Sequence, residues 1–437
     1  MTIPALTGWT SEQRSVVIAS FLGWTLDAFD FFLLVFVIKD IAQEFHTAIP
    51  EVTFAILLTL AMRPIGAFLF GRAADRWGRR PTLMVDVLLY SLLEFASGFS
   101  PNLTVLLVLR ALYGVAMGGE WGVGASLTME TIPPHARGFV SGLLQSGYPT
   151  GYFVASIVYG ALFPIIGWRG MFMVGVLPAL LVLYIRRRVP ESPSWDRTAA
   201  ARSGTLSIVR SHWRLGIYAV LLMTAFNFFS HGTQDLYPTF LQVQHGLSAH
   251  AVGIIAAVYN VGAIVGGVVC GTLSERIGRR RTIVIAALLS LPILPLWAFS
   301  ADPMLLALGA FLMQVAVQGA WGVIPVHLNE LSPHEARGTF PGFVYQLGNL
   351  LASANATIQA DLAVHFGGNY GLALAIVAGS VAVIIALLTG FGVEAKGIRF
   401  SAVREGAATG CEQVLEAEEP TLPKIRLREP ERRKASQ

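Results

Sequence analysis

Two stretches of this chain are near copies of each other, and each sits in a short basic break between long apolar runs. Gly71-Arg72-Ala73-Ala74-Asp75-Arg76-Trp77-Gly78-Arg79-Arg80 is matched by Gly271-Thr272-Leu273-Ser274-Glu275-Arg276-Ile277-Gly278-Arg279-Arg280, an offset of 200 residues. A second set keeps that offset. Trp121-Gly122-Val123, Glu130, Pro133 and Ala136-Arg137-Gly138 stand against Trp321-Gly322-Val323, Glu330, Pro333 and Ala336-Arg337-Gly338. A constant offset over separate motifs marks a duplicated structural unit. Two units that repeat in the same direction are related as parallel halves, with a site expected between them near the membrane midplane.

The apolar runs number twelve, at 16–38, 52–72, 82–99, 103–126, 138–163, 169–186, 215–240, 250–273, 281–299, 303–328, 338–364 and 370–392. A run of about 20 apolar residues crosses the hydrocarbon core of a bilayer. Only 13% of the residues are charged, against about 25% in a soluble protein. The expected fold is therefore an all-α membrane protein with twelve transmembrane helices in two six-helix pseudo-repeats. Its divisions are an N-terminal half over 1–188, a linker over 189–214, a C-terminal half over 215–392 and a polar tail over 393–437 with no apolar period.

Basic residues orient such a chain. Arg72, Arg76, Arg79, Arg80, Arg137, Arg186 to Arg188, Arg214, Arg276, Arg279 to Arg281 and Arg337 all follow even-numbered spans, whereas the opposite loops hold Lys39 and Arg169. A multi-pass protein of the cell's inner (plasma) membrane with both termini cytoplasmic is expected. The net charge of +4 does not point to nucleic acid, because the arginines belong to these loops. Met1 to Arg14 lacks the pattern of a cleaved signal. Cys270 lies in an apolar run and Cys411 in the tail, so neither a disulfide nor a metal spacing is expected.

Span 7 breaks the apolar pattern. Asn227, His231 and Asp235 recur every four residues, with Gln234 seven from Asn227, so they share one helix face. Such a face lines water or substrate, or seals against another helix. Elsewhere, Asp27 and Asp30 share a face of span 1, and Arg63 lies about 16 Å into span 2 at 1.5 Å per residue. A buried guanidinium is a fixed fork of donors for a carboxylate. Its competing role is as a permanent partner of Asp27 or Asp30, which substrate would displace. Either aspartate, or Asp235 with His231, is a candidate carrier of a proton, since burial disfavours the charged form of a carboxyl group. The repeat places Asn227 opposite Asp27 and Ser230 opposite Asp30. Gln346, Asn349 and Ser353 line a face of span 11. Gln145, Tyr148, Tyr152 and Tyr159 line one of span 5, where Pro149 invites a kink. Arg110 of span 4 and Glu94 of span 3 lie at similar depth and are expected to pair.

The pattern G-x-x-x-D-R-x-G-R-R over 71–80 resembles the signature of the major facilitator superfamily, and its echo over 271–280 adds to that. Arg63-Pro64-Ile65-Gly66-Ala67 and Pro190-Glu191-Ser192-Pro193 look like its organic-acid and sugar branches. Asn-x-x-Ser-His-x-Thr-Gln-Asp-x-x-x-Thr over 227–239 matches the signature of the lactate/pyruvate:proton permeases of fungi, and Gln346-x-x-Asn349 resembles their substrate-site pair. Trp24-Thr25-Leu26-Asp27-Ala28-Phe29-Asp30-Phe31-Phe32 is similar to the wider sialate:proton symporter family. The short tails, unlike those of the fungal members, are expected of a bacterial relative.

The resemblance spans roughly residues 16–392. It implies the major facilitator fold and proton-coupled symport of a short monocarboxylate by alternating access. Arg63, Asn227, His231, Gln346 and Asn349 are then the expected substrate ligands, and Asp27, Asp30 and Asp235 the coupling acids. Asp75, Arg76, Arg79, Glu130, Arg137, Glu275 and Arg276 are expected to latch the two halves together at the basic end. The partners expected are a small carboxylate, protons and the bilayer, with the chain acting as a monomer and without a cofactor. A larger sugar acid such as sialic acid, or another organic acid, is the alternative substrate. A sensor that binds without transporting is the alternative class. No nucleophile elbow or phosphate-cradling loop suggests an enzyme.

Overall fold

A computed structural model describes residues 8–195, 205–394, 396 and 398. The tail expected over 393–437 and the middle of the 189–214 linker fall largely outside the described residues. Every regular element among the described residues is helical. In the first half, span 1 is Ser11–Glu44, span 2 Ile49–Trp77, span 3 Arg79–Ser97 and span 4 Leu103–Thr131. Span 5 is Arg137–Gln145 with the first part of Gly147–Val174. Span 6 follows a non-helical Gly167 inside that helix and continues through Ala179–Arg188. In the second half, span 7 is Thr205–Gln234 with Tyr237–Val243, span 8 Ala249–Ile277 and span 9 Arg279–Phe299. Span 10 is Pro303–Trp321 with Ile324–Leu331, span 11 Phe340–Ala352 with Asn355–His365, and span 12 Tyr370–Gly390.

Nine helical stretches among the described residues are long and apolar enough to cross a membrane. Spans 3, 6 and 11 escape that criterion for evident reasons. Span 3 carries Arg79, Arg80, Asp86 and Glu94 within one short helix, and the other two are broken into shorter pieces.

Four of the breaks share one cause. A proline lacks the N–H that would bond the carbonyl four residues back. Pro149, Pro178, Pro238 and Pro325 each stand four residues after the last residue of a helix, namely Gln145, Val174, Gln234 and Trp321. The break in span 11, at Ser353 and Ala354, has no such proline.

The basic loops between spans 2 and 3 and between spans 8 and 9 shrink to one residue. Gly78 and Gly278 take φ of 109° and 101°, a region closed to side-chain-bearing residues. Each loop is then fastened by a carboxylate at the start of the next helix. Glu191 accepts from the backbone N–H groups of Arg79 and Arg80, and Glu394 from those of Arg279 and Arg280. An anion at a helix N-terminus satisfies donors that the helix cannot. The two halves meet at the same end, where span 2 packs on span 11 and span 5 on span 8. A Cβ on Gly142 would collide with the Gly267 carbonyl, and one on Gly122 with Gly342, so the backbones themselves touch. Close approach through small residues is how helices associate without a hydrophobic driving force.

Candidate functional site

Between the halves lies a cavity of about 490 Å³. The first half supplies Trp24, Phe31, Phe32, Arg63, Gln145, Tyr148 and Tyr152 to its wall; the second supplies Asn227, Ser230, His231, Gln234, Asp235, Tyr259, Asn260, Gln318, Trp321, Tyr345 and Asn349. Three of the helix ends left by prolines, Gln145, Gln234 and Trp321, are on this wall. Broken helices at membrane depth are tolerated where they line a cavity, and here the breaks and the cavity coincide.

The span 7 face is assembled as its spacing predicts. His231 Nδ1 lies 3.2 Å from Asp235 Oδ1 and Nε2 lies 3.1 Å from Asn349 Oδ1. Both ring nitrogens face acceptor oxygens. A protonated imidazolium satisfies both contacts, and a neutral ring satisfies one unless Asn349 turns its amide. The side chains of His231 and Asp235 are each 36% exposed, so this wall is reached by solvent. Asn227 lines the cavity while its amide donates to the Met223 carbonyl at 2.8 Å.

Arg63 is buried and on the cavity wall. Its guanidinium contacts Met117 Sδ at 2.6 Å and lies over the Phe31 ring at 5.2 Å from its centroid. Its Nε has no partner and no ion pair holds it among the described residues. The permanent pairing with Asp27 or Asp30 weighed from sequence is not formed. Those two aspartates are fully buried, lie outside the cavity wall, and meet no hydrogen-bond donor. Gln346 is also buried away from the wall, with neither amide atom bonded, and Ser353 is exposed with its hydroxyl on the Leu350 carbonyl. The expected Arg110–Glu94 pair is present at 2.7 Å, fully buried. Arg110 also bonds Ser97 Oγ at 2.6 Å.

At the basic end the repeat builds one device twice. Arg79 pairs with Asp75 and with Glu130, each at 3.2 Å; Arg279 pairs with Glu275 and with Glu330, each at 3.0 Å. The arginine holds each acid in place within its own half, and the acid then reaches into the other half. Asp75 accepts from the Gly338 N–H at 2.7 Å, the Thr339 N–H at 3.0 Å and the Thr339 hydroxyl at 2.5 Å. Glu275 accepts from the Gly138 N–H. Both acids thus sit at the start of a helix, of span 11 and span 5 respectively, where an anion is favoured.

Glu130 meets Arg337 across the halves at 4.0 Å. Arg137 donates to the Met129 carbonyl at 2.9 Å and to the Ile398 carbonyl at 2.8 Å. Arg76 and Arg276 are exposed and form no ion pair among the described residues. In this conformation the basic end is therefore closed.

Sequence reasoning missed much of the wall. Of the span 5 face, Gln145, Tyr148 and Tyr152 line the cavity, whereas Tyr159 stacks on Phe36. Asn260 and Gln318 carried the same signal as span 7, a polar side chain in an apolar run. Trp24, Trp321 and Tyr345 carried none, because an aromatic ring in a membrane helix is ordinary.

A family model described as Major Facilitator Superfamily matches this chain over residues 20–248 and 235–430. A carboxylic acid transporter protein homolog of Saccharomyces cerevisiae is 30% identical over 416 residues, covering 89% of this chain and 67% of the relative. The sialic acid transporter NanX of Escherichia coli is 27% identical over 408 residues, covering 91% of this chain and all of the relative. Among solved structures, the proton:xylose symporter XylE bound to 6-bromo-6-deoxy-D-glucose superposes with a TM-score of 0.74 at 19% identity, covering 89% of this chain and 97% of that one. That last likeness concerns the fold.

Proposed function

This chain belongs to the Major Facilitator Superfamily, and from that premise we propose that it is a proton-coupled symporter of small organic acids, lactate and pyruvate first among them. One observation carries the reading: Arg63 is a buried cation on the wall of a cavity between two halves, and no carboxylate among the described residues forms an ion pair with it. A buried unpaired charge is costly, and a substrate carboxylate is the group that offsets this cost. The neighbouring Asn227, His231 and Asn349 orient the hydroxyl or keto group. Gln346, buried and unbonded, is the ligand that a second conformation would bring to the wall.

Protonation of Asp27, Asp30 or Asp235 accompanies substrate entry. Asp27 comes first, because the charge of Arg63 reaches it. A substrate carboxylate at Arg63 and a proton on Asp27 are then loaded together. With the arginine-rich end in the cytoplasm, as the distribution of basic residues favours, the closed latch and the solvent-reached His231–Asp235 wall describe an outward-facing transporter. Rocking of the 1–188 and 215–392 halves about the cavity breaks the latch to open the other side. The membrane in question is the inner (plasma) membrane.

A second reading is favoured by size. A cavity of about 490 Å³ lies in the range that takes a drug-sized ligand, far more than a three-carbon acid fills. The sialic acid transporter among the relatives supports a larger sugar acid or other ring-bearing organic acid held at the same arginine. Binding of labelled L-lactate to purified protein, in competition with pyruvate, acetate and sialic acid, separates the two. Displacement by pyruvate and not by sialic acid supports the monocarboxylate; the reverse supports the larger acid. Retention of binding by Arg63→Ala contradicts both.

A further inference from the structure

The first half buries acids that the cavity does not use. Asp27 of span 1, Asp86 of span 3 and Glu120 of span 4 are at most 1% exposed. None of their carboxylate oxygens meets a hydrogen-bond donor, and no cation stands within ion-pair distance of them, among the described residues. The Glu120 carboxyl occupies the space that a Cβ on Gly23 would fill, and the Asp86 carboxyl lies against Gly119. Tyr90, fully buried one turn from Asp86 on span 3, leaves its hydroxyl unbonded. It is within electrostatic reach of Asp27, Asp30, Asp86 and Glu120 alike. The other charged or titratable groups around this site are Asp30 on span 1, Arg63 on span 2, Glu94 on span 3, and Arg110 and Tyr113 on span 4. Arg110 is engaged with Glu94.

The fold does not require these acids. At the 200-residue offset the second half carries Asn227, Ala286, Ala320 and Ser290 in place of Asp27, Asp86, Glu120 and Tyr90. All four are buried in helices that pack in the same order. Like charges sharing a dry site cannot all ionise, and each isolated one costs several kcal/mol. No three carboxylate, histidine or cysteine groups among the described residues converge closely enough to hold a metal ion.

We propose that Asp86 and Glu120, grouped with Asp27 around the Tyr90 hydroxyl, form a proton-holding centre in the first half, separate from the substrate cavity. Asp86 and Glu120 stand as neutral carboxylic acids while the basic end is closed. Asp27 connects them to Arg63 and so to the substrate. Loading is a proton transfer alone: a hydronium ion gives up one O–H proton to a carboxylate oxygen and becomes water, and the charge of the carboxyl group goes from minus one to zero. The role of this centre in transport rests on the proton-coupling reading above; its protonation does not.

Infrared spectroscopy of the reconstituted full chain, without substrate, tests the proposal by the carbonyl stretch of protonated carboxylic acids and its shift in heavy water. At neutral pH, Asp86→Asn and Glu120→Gln should each delete one such band, and the pair should delete both. Asp86→Ala and Glu120→Ala, which install the residues found in the second half, should give the same losses in a chain whose fold the repeat already tolerates. An unchanged set of bands in all these variants, or no protonated-acid band in the parent, overturns the proposal. Because no substrate is added, a failure of the lactate reading leaves this result untouched.

Discussion

The two halves build the same latch and opposite interiors. Asp75, Arg79 and Glu130 in the first half have the geometry of Glu275, Arg279 and Glu330 in the second, down to the helix start on which each crossing acid rests. Inside, the first half buries Asp27, Asp30, Asp86, Glu94, Arg110 and Glu120. The corresponding positions of the second half are Asn227, Ser230, Ala286, Leu294, Ala310 and Ala320. On the proposed rocking mechanism, matching latches are needed on both sides, and the duplicated motifs supply them. That mechanism needs a charge-carrying interior on one side only. The second half instead contributes neutral amides, hydroxyls and the His231–Asp235 pair to the cavity wall, and in the proposed function these orient the substrate.

This contrast can be broken at four places. The largest effect is expected at the Arg110–Glu94 pair. Glu94→Ala leaves a buried guanidinium uncompensated and should cost about 3–5 kcal/mol of stability. Replacing both partners with the residues of the second half, Glu94→Leu with Arg110→Ala, should recover most of that loss in a thermal melt. No recovery would show that the charged interior is structural after all. Next, Arg63→Ala should weaken carboxylate binding by about 100-fold, the equivalent of the ~3 kcal/mol at the upper end for a charged hydrogen bond, read by isothermal titration.

The third test reverses the comparison. Ala286→Asp puts an acid where the second half has none and should destabilise the chain by about 3 kcal/mol, the cost of an acid at mid-membrane. A neutral result would mean that either half can hold the acids. The smallest effect is at the latch. Asp75→Asn weakens contacts with three donors and Glu275→Gln a contact with one. Opening of the basic end, measured by spin-label distances across it, should be favoured by about 1–2 kcal/mol in the first variant and less in the second. Equal shifts would show that the latch acids act through general charge and not through the helix starts.

The repeat, the spans and the latch acids were legible because each leaves a residue-type signature: a copied motif, an apolar run, an acid in a basic loop. Arg63 and the span 7 face were legible because polar groups in hydrocarbon are conspicuous. The breaks were legible only in part. Pro149 signalled one, but Pro178, Pro238 and Pro325 act through the carbonyl four residues back, an effect that shows once the helix register is known. Asp86 and Glu120 passed unremarked as a pair because they lie on different spans, which only packing brings together. Aromatic side chains of the wall, such as Trp24 and Tyr345, look like core residues in any sequence.

Uptake of labelled L-lactate into proteoliposomes under an inward proton gradient, comparing the parent chain with Asp27→Asn, tests the division of labour most directly. The parent should accumulate lactate above the outside concentration, and the variant should lose that accumulation by at least about tenfold, the size of a 1.4 kcal/mol change in driving force. Gradient-driven accumulation that persists undiminished in Asp27→Asn, and is lost instead in Asp235→Asn, would place the coupling proton in the second half and contradict the assignment of charge to the first.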